Sequence, residues 1–396
     1  MSETIKTDVT IIGAGLVGLS AAVAMRQAGY SVVVVDAKSP ANIQLAEDAW
    51  DTRIYAISPR NAAWLRDLNI WQNLNLARIG RMQAMEIFGE PTLAPIHLLA
   101  DDVNADDLGF IVEASALSQA LLKQVASSGI QTLFNAPCNA IQTSESSTIL
   151  TLENGQVITC SLLIAADSSQ SWVRSQLNLP LQHKSYAQSA IVANFKVEKP
   201  HGNVARQWFS IIDGKNSILA WLPLPDNTIS IVWSVSTNMA DNLLKLSNDA
   251  FTAQVQEAGG ALLGELKLLG TRAVFPLVMQ KSDDYWQQSV VFMGDAAHKI
   301  HPMAGQGVNL GFRDVMDFME ILNHKNAYQT LNDASLLKKY ARKRKVDMLN
   351  MLLLTDGLYQ LFESQNKVVK KVRHWGMSAT NHKVIKKMLV ENAIAL

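Results

Sequence analysis

The chain has little cysteine, no excess of charge of either sign and no long apolar run, and each absence excludes a class of protein. Two cysteines, Cys138 and Cys160, occur among 396 residues, which is too few for a disulfide framework or a four-thiolate metal site. The 35 lysines and arginines match the 35 aspartates and glutamates. This balance argues against general nucleic-acid binding, which needs a strong cationic field. The apolar runs are about as long as strands, well short of the roughly 18 residues of a membrane-spanning helix.

The sequence does contain enough apolar material for a large core. Apolar residues make up 48% of the chain and charged residues 18%, which excludes a mostly disordered protein. The length predicts two domains or one elaborated α/β domain. Residues 1–10 lack the apolar segment of a secretory signal. We therefore expect a cytoplasmic protein, with peripheral attachment to a membrane as the alternative.

Charge is unevenly distributed along the chain. Residues 338–396 contain 13 lysines and arginines against four aspartates and glutamates, so the preceding part is acidic overall. Apolar residues at 348–354 lie between the basic clusters. Two interpretations stay open. The region forms helices with solvated basic faces, or it docks on a partner or on anionic lipid headgroups without spanning the membrane.

The order of strand and helix patterns predicts an α/β fold. A β-branched run at 9–12, an alanine- and leucine-rich stretch at 16–28 and a run of valines at 31–35 have the spacing of a βαβ unit. Alternating patterns over 185–236 predict an antiparallel sheet, and residues beyond 306 are mainly helical in pattern. Further helices are predicted at 59–68, 114–127 and 241–258, and hairpin turns at 154–155 and 225–227.

A glycine-rich turn connects the first strand to the first helix. Gly13, Gly15 and Gly18 form a G-x-G-x-x-G pattern, and Asp36 follows the second strand 23 positions after Gly13. In this context the first glycine permits a tight turn, the second lets a pyrophosphate approach the backbone, and the third lets the helix lie close to the strand. Asp36 can accept hydrogen bonds from a ribose, and its charge disfavours a 2′-phosphate. The unit therefore predicts binding of the ADP part of FAD or NAD.

A second glycine-rich segment begins at Gly294 and continues to Asn309. Asp295, at a strand end, can bind the hydroxyls of a flexible polyol chain, and amides at 305–309, near a helix start, can stabilise negative charge on a ring system. A nicotinamide dehydrogenase has no evident use for this distant half-site. A cofactor with ADP at one end and a redox ring on a ribityl chain at the other does, so the two segments together predict FAD.

These segments give the predicted domain organisation. A Rossmann-like FAD-binding βαβ domain occupies 1–180 and 276–330, an antiparallel-sheet substrate domain is inserted at 181–275, and 331–396 form a helical C-terminal region. The tryptophans at 208, 221 and 233 are predicted to lie in the core of the inserted sheet, with a place in the lining of a substrate slot as the alternative.

Three segments together resemble the single-component FAD aromatic hydroxylases, with the p-hydroxybenzoate hydroxylase-like fold. They are 13–18, the middle motif Ala166-Asp167 with Ser171-Trp172-Val173-Arg174, and 294–309. In its detailed amino-acid sequence, the chain is similar over nearly its whole length to the ubiquinone-biosynthesis hydroxylase family within that class. The stretches that carry this likeness are 51–58, 109–113, 186–188, 231–234, 275–277 and 300–311.

The resemblance implies a set of site residues. Cofactor contacts are implied for Gly13, Gly15, Gly18, Asp36, Arg53, Asp167, Gly294, Asp295, Pro302, Gly305, Gly307, Val308 and Asn309. Arg53 would lie beside the flavin, Asp295 near the ribityl–pyrophosphate region, and 305–309 around the isoalloxazine. The group that handles the phenolic proton is left unassigned, with Arg53, Tyr55, His298 and His301 as candidates, because a motif position does not establish proton-transfer geometry.

The resemblance also implies a reaction. NAD(P)H, a transient reductant without a second G-x-G-x-x-G unit of its own, reduces the flavin. O₂ then forms a C4a-hydroperoxide that hydroxylates the ring of a polyprenylated phenol or quinol in ubiquinone biosynthesis. The implied partners are therefore this substrate, O₂, and a membrane surface or a ubiquinone-biosynthesis complex.

One departure from the family pattern concerns the middle motif, which usually reads Asp-Gly and here reads Asp167-Ser168. Serine adopts a positive φ at a cost that glycine avoids, so this turn and its part in reductant binding are open. Two alternative functions also stay open: a flavin hydroxylase of small soluble phenols, and an FAD-bound scaffold of a biosynthetic complex without turnover, because a fold alone does not fix function. A flavin halogenase is disfavoured, because residues 221–225 do not match its Trp-x-Trp-x-Ile-Pro stretch.

Overall fold

The computed structural model describes residues 4–40, 49–89, 95–299 and 306–363. In these ranges the strands are β1 (Ile5–Ile12), β2 (Val32–Val35), β3 (Ile54–Ile57), β4 (Gly80–Met82), β5 (Ala84–Phe88), β6 (Ile96–Leu99), β7 (Gly109–Glu113), β8 (Gln131–Leu133), β9 (Cys138–Thr143), β10 (Thr148–Leu152), β11 (Val157–Ala165), β12 (Leu181–Val197), β13 (Val204–Ile212), β14 (Lys215–Leu224), β15 (Thr228–Ser236), β16 (Leu266–Ser282), β17 (Trp286–Gln287), β18 (Val290–Phe292) and β19 (His298–Lys299). The helices are α1 (Leu16–Gln27), α2 (Pro59–Asp67), α3 (Ala114–Ser127), α4 (Trp172–Gln176), α5 (Thr237–Lys245), α6 (Asn248–Ala258), α7 (Gln306–Asn323) and α8 (Ala334–Glu363).

The first sheet is mainly parallel and has the order β17-β18-β11-β1-β2-β8, with β10 and β9 attached to β11 in antiparallel fashion. The predicted βαβ unit is present as β1, α1 and β2. The valines of β2 and the inner half of β1 are buried on both faces, as expected for a parallel sheet covered by helices. The predicted turn at Asn154-Gly155 joins β10 to β11. The carboxyl ends of β1, β11 and β18 carry the three glycine-rich or acidic segments singled out in the sequence.

The second sheet has the order β19-β16-β12-β15-β14-β13-β5-β6 and is antiparallel except where β5 pairs with β13. One face packs against α5 and α6 around Phe195, Trp221, Trp233 and Phe251. Trp221 and Trp233 are buried, as the core interpretation predicts, while the partly buried Trp208 stacks on Phe88 at a ring distance of 5.0 Å. A third, small sheet has the order β3-β7-β4.

Two features differ from the sequence expectations. The helical stretch predicted at 241–258 is two helices, because the Ser247 side chain accepts a hydrogen bond from the Ala250 amide and starts α6 as a new helix. The second sheet extends past 275 to Ser282 and includes β5 and β6, which precede residue 181. These strands join the second sheet by pairing with strands far away in the chain, which no local sequence pattern predicts. The division into domains stays a prediction.

Candidate active site

The turn between β1 and α1 uses its glycines in two different ways. Gly13 has φ +108°, and a Cβ there would lie 2.3 Å from the carbonyl oxygen of Ala166. A Cβ on Gly18 would lie 1.9 Å from the Gly13 carbonyl oxygen. These two glycines are therefore required by the packing of the chain on itself. A Cβ on Gly15 would meet no atom of the described residues within 4 Å, so on their side this glycine faces open space.

Gly15 is also the N-cap residue of α1, and no side chain of the described residues caps this helix. The first amides of a helix have no partner within the helix and carry its positive dipole end. An uncapped helix start beside an open backbone surface is the arrangement that binds phosphate groups. The geometry therefore fits the pyrophosphate of a dinucleotide, and the residue that leaves room for it is Gly15.

Asp36 lies at the end of β2, beside this turn. One carboxylate oxygen accepts a hydrogen bond from the Ala14 amide at 2.6 Å, and the other accepts one from the Lys38 amide at 2.8 Å. The two bonds fix the carboxylate, and each oxygen has a further lone pair that can accept a hydroxyl proton. Binding of the ribose by Asp36 stays a prediction with which this geometry agrees.

The middle motif follows β11 and faces the same turn. Asp167 accepts a hydrogen bond from the Val173 amide through Oδ2, while its buried Oδ1 has no partner among the described residues. Burial raises the pKa of Asp167, and hydrogen bonds from Ser171 and Val173 oppose the rise. Ser168 adopts φ +70°, so the serine keeps the left-handed conformation that glycine adopts easily.

Arg174 ties the middle motif to the second glycine-rich segment. Its guanidinium is buried and donates hydrogen bonds to the carbonyl oxygens of Ser169 and Ala296, both at 2.7 Å. Burial lowers its pKa and the Asp167 carboxylate opposes that change. Segments separated by more than a hundred residues are thereby held side by side.

The second glycine-rich segment passes from the first sheet to the second. It leaves β18 at Gly294, which has φ +60°, and then enters β19, where His298 and Lys299 pair with β16. Asp295 lies between these points. Burial raises the pKa of Asp295, and electrostatic interactions with His298, Lys299 and Arg53 oppose the rise. Asp295 and Arg53 therefore influence each other electrostatically, and their contacts with the cofactor stay a prediction.

The start of α7 contains the predicted residues Gly307, Val308 and Asn309. Among the residues that the structure describes, none comes within 4 Å of a Cβ placed on Gly307. Val308 is buried. The Asn309 side chain donates to the Ala56 carbonyl at 2.7 Å and accepts from the Ser58 amide at 3.0 Å. Asn309 therefore anchors α7 to β3 and α2, a contact that the motif alone does not reveal.

Arg53 and Tyr55, both on or beside β3, lie together. The Arg53 guanidinium lies 5.4 Å from the centre of the Tyr55 ring. Burial raises the pKa of the Tyr55 hydroxyl; the Arg53 charge opposes the rise, and the carboxylates of Asp295 and Asp51 add to it. Tyr55 is therefore a protonated phenol at neutral pH. The candidate residues Arg53, Tyr55 and Asp295 thus influence one another electrostatically.

Sequence reasoning missed the supporting role of Asp51. Its carboxylate accepts hydrogen bonds from the amides of Arg53 and Ser115, both at 2.9 Å, and its carbonyl accepts one from the Asn194 side chain on β12, also at 2.9 Å. Asp51 thus fixes the approach to β3 and connects it to the second sheet. It opens the stretch 51–58 that carries the family likeness, which was the available signal.

His298 is placed differently from Tyr55. Its Nε2 lies 2.7 Å from the Asp314 carboxylate, and 2% of the side chain is exposed. This contact packs the segment that contains His298 against α7, and a role of His298 in proton transfer stays a prediction. His301, Pro302 and Gly305 lie outside the described residues.

The open surfaces at Gly15 and Gly307, the uncapped start of α1 and the unpartnered oxygen of Asp167 together fit FAD. A family model described as FAD binding domain matches residues 6–351. Among solved structures, the chain is similar to p-nitrophenol 4-monooxygenase PnpA of Pseudomonas putida, with a TM-score of 0.76, 15% identity and coverage of 99% of this chain and 98% of that one. It is also similar to Klebsiella pneumoniae HpxO complexed with FAD and uric acid, with a TM-score of 0.75, 16% identity and coverage of 98% and 97%.

The fold and the site define an FAD-dependent aromatic monooxygenase. Among curated proteins, the chain is 31% identical over 394 residues to 3-demethoxyubiquinol 3-hydroxylase of Escherichia coli, covering 98% of this chain and 99% of that protein. It is 32% identical over 379 residues to ubiquinone hydroxylase UbiL of Rhodospirillum rubrum, covering 94% and 85%. The chain belongs to the ubiquinone-biosynthesis hydroxylase family of FAD-dependent monooxygenases.

Proposed function

We propose that this protein hydroxylates the aromatic ring of a polyprenylated phenol or quinol on the way to ubiquinone. The observation that carries the proposal is the end-to-end likeness to a protein named for that reaction, over 98% of this chain. In the overall reaction, the ring C–H, NAD(P)H, a proton and O₂ give the ring C–OH, NAD(P)⁺ and water. One oxygen atom enters the substrate and the other is reduced to water.

Different residues of the chain would bind different parts of the cofactor. The amides at the start of α1, exposed by Gly15, would take the pyrophosphate, and Asp36 would take the ribose. Asp295 would accept hydroxyls of the ribityl chain, and the start of α7 at Gly307 would lie against the ring system. When bound, FAD supplies the electron transfer from NAD(P)H to O₂ that hydroxylation requires.

Tyr55 and Arg53 are the side chains best placed to act on the substrate. A tyrosine hydroxyl is protonated at neutral pH, and burial raises the pKa of Tyr55 further, so Tyr55 can donate a hydrogen bond to a substrate hydroxyl and orient the ring. Arg53, which is exposed and lies over the Tyr55 ring, can stabilise a phenolate oxygen that develops as the ring becomes electron-rich.

An enzyme for a lipid-tailed substrate benefits from a position beside a membrane, and α8 has a suitable surface. Its exposed residues include Lys338, Lys339, Arg342 and Lys345, followed by Val346 and Leu349 with 56% and 53% of their surface exposed. A basic face that continues into apolar residues is typical of a helix lying on anionic lipid. Within the described part of the chain, no helix is both long and apolar enough to cross a membrane. Peripheral association through α8 is therefore part of the proposal.

The decisive test of substrate is turnover of a short-tailed prenylated quinol by the FAD-loaded protein, with the product identified by mass spectrometry. We expect one added ring oxygen and NAD(P)H consumption stimulated by the quinol. Tyr55→Phe should lower turnover with little change in bound FAD, because the ring stays and the hydroxyl is lost. Stimulation by soluble phenols alone would favour the alternative hydroxylase, and the absence of any stimulation would favour the scaffold.

Lipid extracts of cells lacking the gene provide an independent check. A prenylated phenol short of one ring oxygen should accumulate while ubiquinone falls, and its structure identifies the position that is hydroxylated. An unchanged quinone profile in cells with no second hydroxylase of this family would contradict the proposed substrate.

Membrane association is tested separately by flotation with anionic and neutral vesicles. We expect binding to anionic vesicles and its loss in the double variant Lys338→Glu with Arg342→Glu. A matched control reverses two exposed lysines on the second sheet, with Lys215→Glu and Lys267→Glu. Equal loss in both double variants would show that net charge, and not the face of α8, governs binding.

A further inference from the structure

A cluster of buried charges lies between α7 and α8, outside the surfaces that would contact substrate. At its centre Arg344 of α8 and Asp314 of α7 are both fully buried. The Arg344 Nε lies 2.6 Å from one oxygen of Asp314, and its Nη1 lies 2.6 Å from Asp317 and 2.7 Å from Asp347. The sequence suggested a solvated basic face for this region; for Arg344 that expectation is wrong, because three carboxylates compensate its burial.

The second oxygen of Asp314 holds the cofactor segment at two points. It accepts a hydrogen bond from the Gly294 amide at 2.7 Å and lies 2.7 Å from His298 Nε2. Asp295 lies between these two anchors. The conformation of the stretch that carries Asp295 is therefore fixed by a carboxylate, and that carboxylate is fixed by a residue of α8.

Removal of the Arg344 charge would disturb this arrangement in a definite way. Asp314, which is fully buried, would lose the arginine beside it, and a buried charge without its partner is strongly unfavourable. Asp347 and Asp317 would keep other cations, Arg313 at 3.3 Å and Lys343 at 2.9 Å, whereas among the described residues no lysine or arginine except Arg344 forms an ion pair with Asp314. Asp314 would have to move or take up a proton, and a protonated carboxyl loses acceptor capacity, at the expense of Gly294 or His298.

We propose that Arg344 and Asp314 are positioning residues for the flavin site, and that FAD binding and the docking of α8 are coupled through them. Coupling of this kind is reciprocal. A firmly docked α8 favours the cofactor-binding form of residues 294–298, and bound FAD holds α8 against α7. The helix that carries the exposed basic surface is thereby connected to the cofactor. The proposal depends on FAD binding and not on the identity of the substrate.

The first experiment measures the Kd of the apoprotein for FAD, by the change in flavin fluorescence, in Arg344→Met and in the matched control Arg342→Met. Arg342 lies two positions away on the same helix and is exposed. We expect a rise of about tenfold or more for Arg344→Met, within the usual range of coupling between sites. The control should keep the Kd of the unaltered protein. Arg344→Lys, which restores a charge, should recover part of the affinity, and the bound flavin should show an altered visible circular dichroism spectrum only in the Arg344 variants.

The second experiment needs no variant and remains decisive if Arg344→Met does not fold. Amide hydrogen exchange over 334–351 is compared in the unaltered protein with and without FAD. We expect FAD to slow exchange in this part of α8. Equal exchange in the two states, or an Arg344→Met protein that binds FAD with unchanged Kd and spectrum, would overturn the proposal.

Discussion

Ser168 occupies a backbone conformation that costs an L-amino acid free energy. Its φ of +70° lies in the left-handed region, and the side chain is exposed. The neighbouring residues impose this conformation through hydrogen bonds. The Ala166 amide donates one to the Ile12 carbonyl of β1, and the Ser169 carbonyl accepts one from Arg174. The turn keeps the backbone conformation that a glycine would give it. The departure from the family pattern therefore raises the free energy of the turn without changing its backbone conformation.

Ser168→Gly should therefore stabilise the protein. Relief of left-handed strain is worth about 1–2 kcal/mol, and the greater freedom of glycine in the unfolded chain returns part of it. The expected net gain is about 0.5–1 kcal/mol in the free energy of unfolding, measured by urea denaturation without FAD. Ser168→Ala, which keeps the Cβ and its strain, should show no such gain. Equal stabilities of the glycine and alanine variants would contradict a strained turn.

If Asp295 binds the cofactor as proposed, stability and cofactor binding should oppose each other at this residue. Burial raises its pKa, so its ionisation is less favourable in the folded protein than in the unfolded chain. Stability is therefore lost as pH rises from the unfolded pKa of about 4 through the raised folded value. Below that window the side chain is neutral in both states and the cost is absent.

Asp295→Asn should remove this cost and keep the shape. At neutral pH we expect the FAD-free variant to be more stable by about 1 kcal/mol, with no difference below pH of about 4. The variant should also bind FAD more weakly, because it loses a charged acceptor for hydroxyls. Urea denaturation across pH and FAD titration are the two measurements. A variant less stable than the parent at neutral pH would show that the ionised carboxylate is a net stabiliser.

At the scale of elements, the β1–α1 turn allows packing and cofactor binding to be separated. Gly13→Ala places a Cβ 2.3 Å from a backbone oxygen and should destabilise the fold itself, so loss of flavin in that variant is uninformative. Gly15→Ala puts a methyl group into open space at φ −78°, which alanine adopts freely. We expect Gly15→Ala to unfold at the same temperature as the parent without FAD and to bind FAD at least about tenfold more weakly. A fully flavin-loaded Gly15→Ala protein would place the pyrophosphate elsewhere.

Elements with a local signal could be predicted from the sequence. The βαβ unit, α3 at Ala114–Ser127 and the hairpin turns at 154–155 and 225–227 follow from residue periodicity and turn chemistry. The pairing of β5 with β13 joins segments about 120 residues apart, and nothing in either strand encodes the other. Which strands pair to form one sheet therefore depends on long-range contacts, and local sequence patterns do not predict it.

The candidate site shows the same division. The glycine motifs could be recognised from the sequence because their backbone requirements are local, and the cofactor contacts of Gly15, Asp295 and Gly307 stay a prediction. The anchoring roles of Asn309 and His298, and the support from Asp51, depend on partners far along the chain. Arg344 belongs to a basic run whose composition indicates a solvated face, and only its position on the inner side of α8 explains its burial.

The whole molecule contains two kinds of charged group that respond differently to salt, namely exposed cations and an enclosed ion pair. The electrostatic interactions of the exposed cations of α8 pass through water. There the screening length falls from about 30 Å at 0.01 M salt to about 3 Å at 1 M. The Arg344–Asp314 pair is enclosed between helices, and enclosed pairs are screened much less. Surface association and cofactor binding should therefore separate when salt is varied.

We expect flotation with anionic vesicles to fall steeply as salt rises from about 0.05 to about 0.5 M, while the protein stays flavin-loaded throughout. Each cation near an anionic surface contributes about 1 kcal/mol, so the four on the exposed face are enough to make attachment depend on ionic strength. Flavin absorbance of the floated and free fractions measures both properties in one experiment. Binding that persists at high salt would indicate that apolar insertion around Val346 and Leu349 holds the protein on the membrane, because burial of apolar surface is not weakened by screening.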